Sequence, residues 1–551
     1  MLTFMLKANL RSLTTVFLTI VALQAASGGD AGSGLHYYYP VPPADPPRVV
    51  EADVVVYGAT PGGLMAAIQA RRIGKTAAVV EFGRHVGGMT ASGLSKTDGG
   101  KYAGGISREF YKAVGNRDFP PAAAEAQFLK MLKADGVQLF TEHRLKSVAK
   151  SGNRITEIEI ENGNRFQAKV FIDATYEGDL LAKAGVSYTV GREANSKHGE
   201  TINGVTAGSN AHNFRFPIDP YRTPGDPASG LLETISATAP GKLGDGDRHV
   251  QAYNFRMYLS KAPNRIPFPK PADYDPDRYA LLARYIAAGA KIADFMQLHE
   301  GDSNNDGGFS TDNIGGSDAW PEADYATREK IYQDHVAYQQ GLLWFVTHDE
   351  RVPEAIRREV SAYGLPPTDF TETGGWPHQL YVREGRRMVS DYVMTEHNCR
   401  GTTVADDSIG LAEYTMDSHH CQRCVVNEID KKSGQRRAIV HNEGDVQVRI
   451  PGPYPVAFRA IVPKELECAN LLVPVCLSAT HIAYGSIRME PVFMVLGQSA
   501  GTAAAMAIES NVAVQKVDYG KLRATLLADR QLLDAPTRAT ADERRSTSEQ
   551  P

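Results

Sequence analysis

Cysteine is scarce in this chain, which has only five cysteines among its 551 residues. So small and odd a number cannot form the disulfide framework that holds small secreted proteins together. Blocks of like charge are also absent, and 59 Lys and Arg against 64 Asp and Glu give a net charge of −5. The sequence therefore argues against a nucleic-acid partner and favours a globular protein with about two to four domains.

A long apolar run follows Lys7 and Arg11 near the N-terminus, over residues 13–26. It is shorter than the roughly 20 apolar residues that a bilayer span requires, and it ends in small residues. This pattern predicts a signal peptide over residues 1–27, and a membrane anchor is the less favoured alternative. We therefore expect an exported protein, periplasmic or extracellular, with no stable membrane span after the signal is cleaved.

Beyond residue 50 the hydrophobic pattern predicts a strand, a helix and a second strand in close succession. Residues 53–58 are a β-branched run ending in glycine, residues 62–72 have the apolar spacing of a helix, and residues 76–81 are apolar again. Together the three segments have the length of one β-α-β unit. Such a unit is typical of a parallel, nucleotide-binding sheet.

The turn between the first strand and the helix has the glycines of a dinucleotide fingerprint. It reads Gly58-Ala-Thr60-Pro61-Gly62-Gly63. Gly58 permits the tight turn and Gly63 permits close packing of helix on strand, although Thr60 stands where the middle glycine is usual. Glu81 follows Gly58 by 23 residues, near the roughly 20 at which an acid binds a ribose hydroxyl. An acid there disfavours NADP. The alternative is a glycine-rich turn in another kind of α/β protein.

Three further segments resemble elements of known flavoproteins. The first is Arg84-His85-Val86-Gly87-Gly88-Met89-Thr90, which resembles the element that glutathione-reductase-like flavoproteins place against the FAD diphosphate. Residues 170–179 resemble their second element, although Tyr176 stands where glycine is commonest. Residues 485–501 resemble their C-terminal flavin helix. On these segments the chain resembles the FAD-dependent oxidoreductase family, glutathione-reductase-like two-dinucleotide-binding flavoproteins, in an exported bacterial form.

This resemblance implies FAD as the cofactor and implies which residues bind it. They are Gly58, Thr60, Pro61, Gly62, Gly63, Glu81, Arg84, Gly87, Gly88, Met89, Thr90, Asp173, Ala174, Thr175, Asp179, Gly497 and Gln498. The start of the C-terminal helix would direct backbone N–H groups at the flavin pyrimidine. Two alternatives stay open: this helix is rich in Ala and Gly for close packing alone, and His85 forms a covalent link to the flavin.

The expected fold class is α/β, a Rossmann-like FAD-binding domain with a parallel sheet, discontinuous in sequence, and an inserted α+β substrate domain. Its segments are a signal peptide (1–27), a linker (28–50), the FAD-binding domain (51–190 and 451–512), a substrate or cap domain (191–450), and a C-terminal helix with a disordered tail (513–551). The pattern also predicts a three-stranded accessory sheet, helices near 278–296, 323–343 and 492–508, and a strand over 471–477.

Four residues are candidates for chemistry or substrate binding beside the flavin. His481 lies between the last strand and the flavin helix, where it would act as a general base. Arg488, with Glu490, begins that helix and would contact substrate or flavin. Tyr381 and Arg383 would bind an anionic or polyhydroxylated substrate. The alternatives are a hydrogen-bonded loop histidine, an Arg488 ion pair, and a solvated helix face for Tyr381 and Arg383.

No metal site is expected. Residues 302–307 match the first half of a calcium loop, but Asn313 stands where the closing glutamate is required, so a turn is favoured. His419, Cys421 and Cys424 have zinc-ligand chemistry, and the two cysteines have redox-pair spacing. A single Cys-x-x-Cys is weak support for either reading, so a structural role is favoured.

The expected function is FAD-dependent oxidation of a small organic substrate, of carbohydrate type, by hydride transfer to the flavin. The expected partners are this small-molecule substrate and an electron acceptor. One alternative is a flavin-dependent reductase or isomerase. Another is a cofactor-free binding protein on the same fold.

Overall fold

The computed structural model describes residues 35–96, 98–116, 118–206, 212–429 and 434–536. The predicted signal peptide, the first part of the predicted linker and most of the predicted C-terminal tail lie outside the described residues.

The strands are short, and most lie in the first third of the chain or in the region beyond residue 400. They are β1 (Val49–Tyr57), β2 (Ala77–Val80), β3 (Gln138–Phe140), β4 (Leu145–Ser151), β5 (Arg154–Ile160), β6 (Arg165–Asp173), β7 (Tyr188–Thr189), β8 (Met257–Leu259), β9 (Gly301–Ser303), β10 (Arg387–Met388), β11 (Ser408–Ala412), β12 (Met416–Ser418), β13 (Gln422–Ile429), β14 (Arg436–Glu443), β15 (Val446–Val448), β16 (Tyr454–Ala457) and β17 (Leu471–Leu472).

The α-helices range from one turn to six turns. They are α1 (Pro61–Arg72), α2 (Gly105–Val114), α3 (Pro121–Ala134), α4 (Asp179–Lys183), α5 (Asn195–His198), α6 (Ala280–Ala287), α7 (Tyr325–His348), α8 (Glu354–Val360), α9 (Glu396–Cys399), α10 (His481–Ile487), α11 (Glu490–Ser510) and α12 (Tyr519–Ala528). The helices predicted near 323–343 and 492–508 correspond to α7 and α11, whereas the one predicted near 278–296 is α-helical only over α6, which ends at Ala287.

The main sheet has the order β3-β2-β1-β6-β5-β4, and β17 also pairs with β6. Strands β3, β2, β1, β6 and β17 run parallel to one another, whereas β4, β5 and β6 form an antiparallel meander. The buried faces of β1 and β2 are almost wholly Val and Ala, as expected for strands covered on both sides. This arrangement confirms the Rossmann-like α/β fold, and the predicted accessory strands extend the same sheet.

The strand predicted over residues 471–477 is shorter in the structure. Only Leu471 and Leu472 form β17, paired with Phe171 and Ile172 of β6. Because β6 ends at Asp173, the residues that follow Leu472 have no strand to continue beside. They remain buried as loop, which explains their apolar character.

Helices α1 and α11 pack closely through glycine. A Cβ at Gly497 would lie 1.9 Å from the Gly62 carbonyl oxygen, and a Cβ at Gly501 would lie 2.3 Å from that of Ala66. Helix α11 is apolar and long enough to cross a membrane, but 89% of its most apolar window is buried, as in the core helix of a soluble protein. Close packing on α1 therefore brings the start of α11 beside the glycine-rich turn.

Residues between β7 and β16 form a mostly irregular region with the long helix α7 and the hairpin of β13 and β14. Asp324 caps α7 by accepting a hydrogen bond from the Thr327 N–H at 2.7 Å. This region shares one hydrophobic core cluster with α1 and α11. The boundaries predicted for an inserted domain, 191–450, stay a prediction.

Candidate active site

The glycine-rich turn has the backbone geometry that its sequence predicts. Gly58 has φ +102°, and a Cβ there would lie 2.8 Å from the Ala174 carbonyl carbon. A Cβ at Gly63 would lie 2.0 Å from the Gly58 oxygen. Thr60 caps α1 by accepting from the Gly63 N–H at 3.3 Å and donates to the Ala174 oxygen at 2.7 Å. Thr60 therefore replaces the usual glycine by tying the turn to β6.

The start of α1 also has the donors that a diphosphate requires. The first turn of a helix leaves its N–H groups without intrahelical acceptors and carries the positive end of the dipole. Pro61 has no N–H, and that of Gly63 is already bonded to Thr60. Neither of these restrictions applies to the N–H of Gly62, which the first turn leaves without an intrahelical acceptor.

Glu81 lies at the end of β2 beside the same turn. Its carboxylate accepts from the Ala59 N–H at 2.5 Å and from the Gly83 N–H at 2.8 Å. Burial raises the pKa of Glu81 above its ordinary value. Arg84 instead pairs with Glu142 at 2.9 Å on the surface. The structure therefore places Glu81, but not Arg84, against the nucleotide-binding turn.

Arg144 is a buried cation in this neighbourhood that sequence reasoning missed. Its Nη1 donates to the Tyr39 carbonyl oxygen at 2.7 Å, and its guanidinium lies over the rings of Tyr38, Tyr39 and Phe82. Its Nε and Nη2 have no acceptor among residues 35–536 that the structure describes. No local motif marks Arg144, because its neighbours come from the N-terminal segment and from the residue after Glu81.

Gly87, Gly88 and Met89 lie in the segment that connects β2 to α2. Gly87 has φ +95° and precedes a short 3-10 helix, Gly88–Ala91. A Cβ at Gly88 would lie 2.2 Å from the Tyr176 hydroxyl oxygen. A side chain at position 88 would therefore clash with the Tyr176 hydroxyl. The glycine at 88 leaves room for a tyrosine at 176, where the family usually has glycine.

Tyr176 links this segment to the start of α11. The Met89 N–H donates to the Tyr176 oxygen at 3.0 Å, and the Tyr176 hydroxyl donates to Glu490 Oε1 at 2.7 Å. Burial raises the pKa of Glu490 to about 8. Thr90 is buried beside them. Glu490 is therefore a carboxyl group that keeps its proton at neutral pH.

The residues from Asp173 to Asp179 mainly shape their own turn. The Asp173 carboxylate accepts from the N–H and the hydroxyl of Thr175 and from the Leu181 N–H, at 3.1, 2.7 and 2.7 Å. Asp179 is paired with Arg328 at 2.7 Å and with Arg386 at 2.8 Å. Direct contacts of Asp173, Thr175 and Asp179 with FAD stay predictions.

The last two predicted cofactor residues face other helices. Gly497 lies against Gly62 of α1, as described above. Gln498 Oε1 accepts from the Ile106 N–H at 2.8 Å, at the start of α2. The alternative of close helix packing thus accounts for both positions, and their contact with FAD stays a prediction.

A polar cavity of about 240 Å³ opens at the residues that precede α11. Arg488 and Met489 form part of its wall, and Tyr381 joins them from the irregular region. The remaining lining residues are polar or aromatic: Lys96, Asp98, His212, Arg256, Gln297, Asn304, Asn305, Tyr414, Asp417, His419 and Gln447. The structure therefore brings two of the four predicted catalytic residues, Tyr381 and Arg488, to one cavity.

Arg488 is held by two partners in the cavity wall. Its Nη1 donates to the Tyr381 hydroxyl oxygen at 2.9 Å, and its Nη2 donates to Asp417 Oδ2 at 2.8 Å. Its Nε has no acceptor among the described residues, and Asn305 Oδ1, in the same wall, has no donor among them. Both atoms are buried within the wall and are not accessible from the cavity.

Arg383 lies behind the cavity wall. It is buried, so the alternative of a solvated helix face is wrong for Arg383. The cause is pairing: Arg383 Nη1 lies 2.9 Å from Asp312 Oδ1, while Arg387 pairs with Glu193 at 2.7 Å. Arg383 therefore contacts the cavity residues through Asp312 and through the ring of Tyr381, over which its guanidinium lies at 4.7 Å.

His419 is the residue that Asp312 contacts at the cavity. His419 Nδ1 lies 2.8 Å from Asp312 Oδ2, and His419 Nε2 is 3.6 Å from Asp417 Oδ2. Burial, followed by Arg383, lowers the pKa of His419. Burial acts to raise the pKa of Asp312, but Arg383 and His419 outweigh it and hold that pKa well below its usual range. A neutral His419 with Nδ1–H directed at Asp312 has a basic Nε2.

His481 is engaged on both ring nitrogens. Its Nδ1 lies 2.7 Å from Glu384 Oε2, and its Nε2 lies 3.0 Å from the Ser418 hydroxyl. It is the first residue of α10, is buried and does not line the polar cavity. Burial lowers its pKa to about 3. The role of His481 as the general base stays a prediction. His419 is better placed for that role, because it lines the cavity and His481 does not.

The residues considered for metal binding have other partners. Asp302 pairs with Arg256 at 2.5 Å, and residues 301–303 form β9. Cys421 and Cys424 are buried free thiols, and burial raises the pKa of Cys424 to about 11. The turn predicted over residues 302–307 is therefore wrong at its start, which is the end of strand β9, and a structural role for the two cysteines stays a prediction.

Several solved structures resemble part of the chain. They include THI4 of Thermovibrio ammonificans, 22% identical over 28% of this chain and 71% of that chain, TM-score 0.22. They also include OxyS anhydrotetracycline hydroxylase from Streptomyces rimosus, 14% identical over 26% of this chain and 36% of that chain, TM-score 0.22. The chain thus matches little more than a third of the hydroxylase's length. Likeness at this level carries no argument about substrate.

A comparison with curated proteins finds no match. The sequence model of one family, described as FAD dependent oxidoreductase, matches residues 53–526. This match spans both parts of the parallel sheet, α11 and the cavity wall. The chain belongs to the FAD dependent oxidoreductase family and is an enzyme with FAD as its cofactor.

Proposed function

We propose that this enzyme oxidises a small, uncharged and polyhydroxylated substrate, of carbohydrate type, in the polar cavity at the start of α11. The observation that carries the proposal is the lining of this cavity, whose residues are polar or aromatic apart from Met489. A hydroxyl group both donates and accepts, so a polyhydroxylated molecule pairs with the mixed donors and acceptors of such a wall.

The charges around the cavity support a neutral substrate. Its wall contains the cations Lys96, Arg256 and Arg488 and the acids Asp98 and Asp417. Arg488 is already paired with Asp417, and Arg256 with Asp302 outside the wall. The cations are therefore largely neutralised. The volume, about 240 Å³, is below the roughly 300–1,000 Å³ of typical ligand pockets, which favours a single small ring.

His419 is the proton acceptor in this proposal. Oxidation of an alcohol to a carbonyl removes a hydride from carbon and a proton from oxygen. FAD supplies the hydride acceptor when it is bound. The hydroxyl proton goes to His419 Nε2, while Asp312 keeps the opposite nitrogen protonated and stabilises the cation that forms. Arg488 and Tyr381 hold the substrate oxygen atoms.

A panel of sugars and polyols, mixed without oxygen with the FAD-loaded enzyme, tests the proposal. We expect at least one compound to remove the flavin absorbance in the visible range, and readmitted oxygen or another acceptor to restore it. Binding of panel members without loss of absorbance would support the reductase or isomerase alternative instead. Membership of the FAD family argues against the cofactor-free alternative.

We also propose that the enzyme is exported, on the strength of the apolar run at residues 13–26. Fractionation of a bacterial host, with determination of the N-terminal sequence, tests this. A chain in the periplasm or medium that begins at Gly28 is the expected result. An uncleaved chain in the cytoplasm or membrane would contradict it.

A further inference from the structure

Three potential metal ligands meet beside the segment that leads into Gly87. They are His85 in the loop after β2, Glu372 in the 3-10 helix Thr371–Thr373, and His378 a few residues later. One ligating atom from each lies within 4.8 Å of the other two. The sequence gives no sign of this cluster, because His85 is nearly 300 residues from the other two.

Among the three residues, His378 has a buried ring nitrogen without a hydrogen-bond partner. Its Nδ1 is buried and has no hydrogen-bond partner in the part of the chain that the structure describes. A neutral imidazole with an unshared nitrogen lone pair is the form that binds metal. The Glu372 carboxylate, with 45% of its side chain exposed, gives an ion access from solvent.

His85 has a carboxylate hydrogen-bond partner on the ring nitrogen that faces away from the cluster, as metal-bound histidines usually have. Its Nε2 lies 3.1 Å from Glu372 Oε1, on the cluster side. Its Nδ1 lies 3.2 Å from Glu125 Oε1, which also accepts from the Val86 N–H at 3.1 Å. A carboxylate on the far nitrogen fixes the ring orientation and makes the near nitrogen more basic.

We propose that His85, Glu372 and His378 form a binding site for one divalent transition-metal ion of the zinc type. Two imidazoles and a carboxylate, with water in the fourth position, are a common donor set for such an ion. The two rings are stacked, with centroids 3.9 Å apart and planes 21° apart. One ring therefore turns about its Cβ–Cγ bond when the ion binds.

A bound ion would join the loop before Gly87 to the segment from Thr371 to His378. None of the three ligands lines the polar cavity. The proposal is therefore independent of the substrate, and its failure would leave the proposed oxidation intact. The expected consequence is a more stable enzyme, because an ion that binds only the folded chain raises its melting temperature.

Titration of the FAD-loaded, chelator-treated full chain with Zn²⁺ or Co²⁺ tests the site. We expect one equivalent to bind saturably, with a rise in Tm, and Co²⁺ to add an absorption band beyond those of the flavin. His378→Ala and Glu372→Gln should weaken binding by more than the roughly 10- to 100-fold that loss of an outer hydrogen-bond partner produces. Glu125→Gln should fall within that range.

His299→Ala, at an exposed histidine far along the sequence from the cluster, is the matched control and should bind as the unaltered chain does. The FAD content of each variant shows whether it has folded. Absence of saturable binding, or equal binding by His378→Ala and the control, would overturn the proposal. The cluster would then be an ion-pair group in which His85 is protonated between Glu125 and Glu372.

Discussion

His419 Nδ1 lies 2.8 Å from Asp312 Oδ2 at the wall of the polar cavity, although the two residues are 107 positions apart in the chain. Arg383 holds the second oxygen of Asp312 at 2.9 Å. The three side chains thus form a chain of contacts in which Asp312 binds Nδ1 of His419. Nε2 of His419 is then the nitrogen that accepts a proton.

Replacement of His419 by Gln should slow flavin reduction by a substrate from the panel about 10²- to 10⁴-fold, as loss of a general base does. FAD content should be unchanged. Since the pKa of His419 is lowered, the neutral, active form persists below pH 6.5, and the acid limb of the wild-type rate profile should lie there. Stopped-flow measurement of flavin absorbance against pH checks both points.

His481→Gln is the comparison variant, because His481 is the other candidate base. A loss of rate in His481→Gln with an intact pH profile indicates a structural effect. If the acid limb disappears in His481→Gln and stays in His419→Gln, then His481 is the base and the assignment of His419 is wrong.

Tyr381→Phe removes the hydroxyl that accepts from Arg488 at 2.9 Å. Loss of one such hydrogen bond costs about 0.5–1.5 kcal/mol, so we expect KM for the substrate to rise several-fold with little change in kcat. Arg488→Lys should raise KM further, because a lysine cannot hold Tyr381 and Asp417 together. Steady-state kinetics measure the changes in KM and in kcat separately. An effect of Tyr381→Phe on kcat alone would place its hydroxyl at the reacting atoms instead.

Gly63→Ala should abolish most FAD binding, since its Cβ would lie 2.0 Å from the Gly58 oxygen and force the nucleotide-binding turn open. Gly452→Ala is the matched control, because nothing lies within 4 Å of its Cβ position. The ratio of flavin to protein absorbance, with circular dichroism as a check on folding, measures the outcome. Equal FAD content in the two variants would contradict the assignment of this turn.

Glu490→Gln should change how stability depends on pH. The pKa of Glu490 is raised to about 8 in the folded chain, against 4.5 ordinarily. Between these values the unfolded chain has lost the proton that the folded chain keeps, so this group lowers stability as pH rises through that window. Glutamine cannot ionise. The variant should therefore gain Tm relative to the wild type between pH 5 and pH 8, by a free energy of the order of a few kcal/mol.

Thermal unfolding of both proteins at the two pH values measures this difference. Glu354→Gln, at an exposed glutamate, is the control and should show no pH-dependent gain. A constant difference between Glu490→Gln and wild type across the range would mean that Glu490 is ionised in the folded chain.

Local pattern predicted the elements that depend on nearby residues. The apolar periods of β1, α1 and β2, and the glycines between them, define a β-α-β unit without reference to the rest of the chain. Contacts between residues distant in the sequence determined the features that the local pattern did not predict. β17 is two residues long because β6 ends at Asp173, and Tyr176 replaces a glycine because Gly88 leaves room for its hydroxyl.

The sequence by itself determined the family, the cofactor and the start of the nucleotide-binding fold, because each rests on residues close together along the chain. Only the tertiary structure decided which polar residues share a cavity. His481 has the better position in the sequence, but His419, Asp312 and Arg383 come together from three separate segments. Their chemistry depends on burial and on charges brought near by folding, and neither is encoded in local spacing.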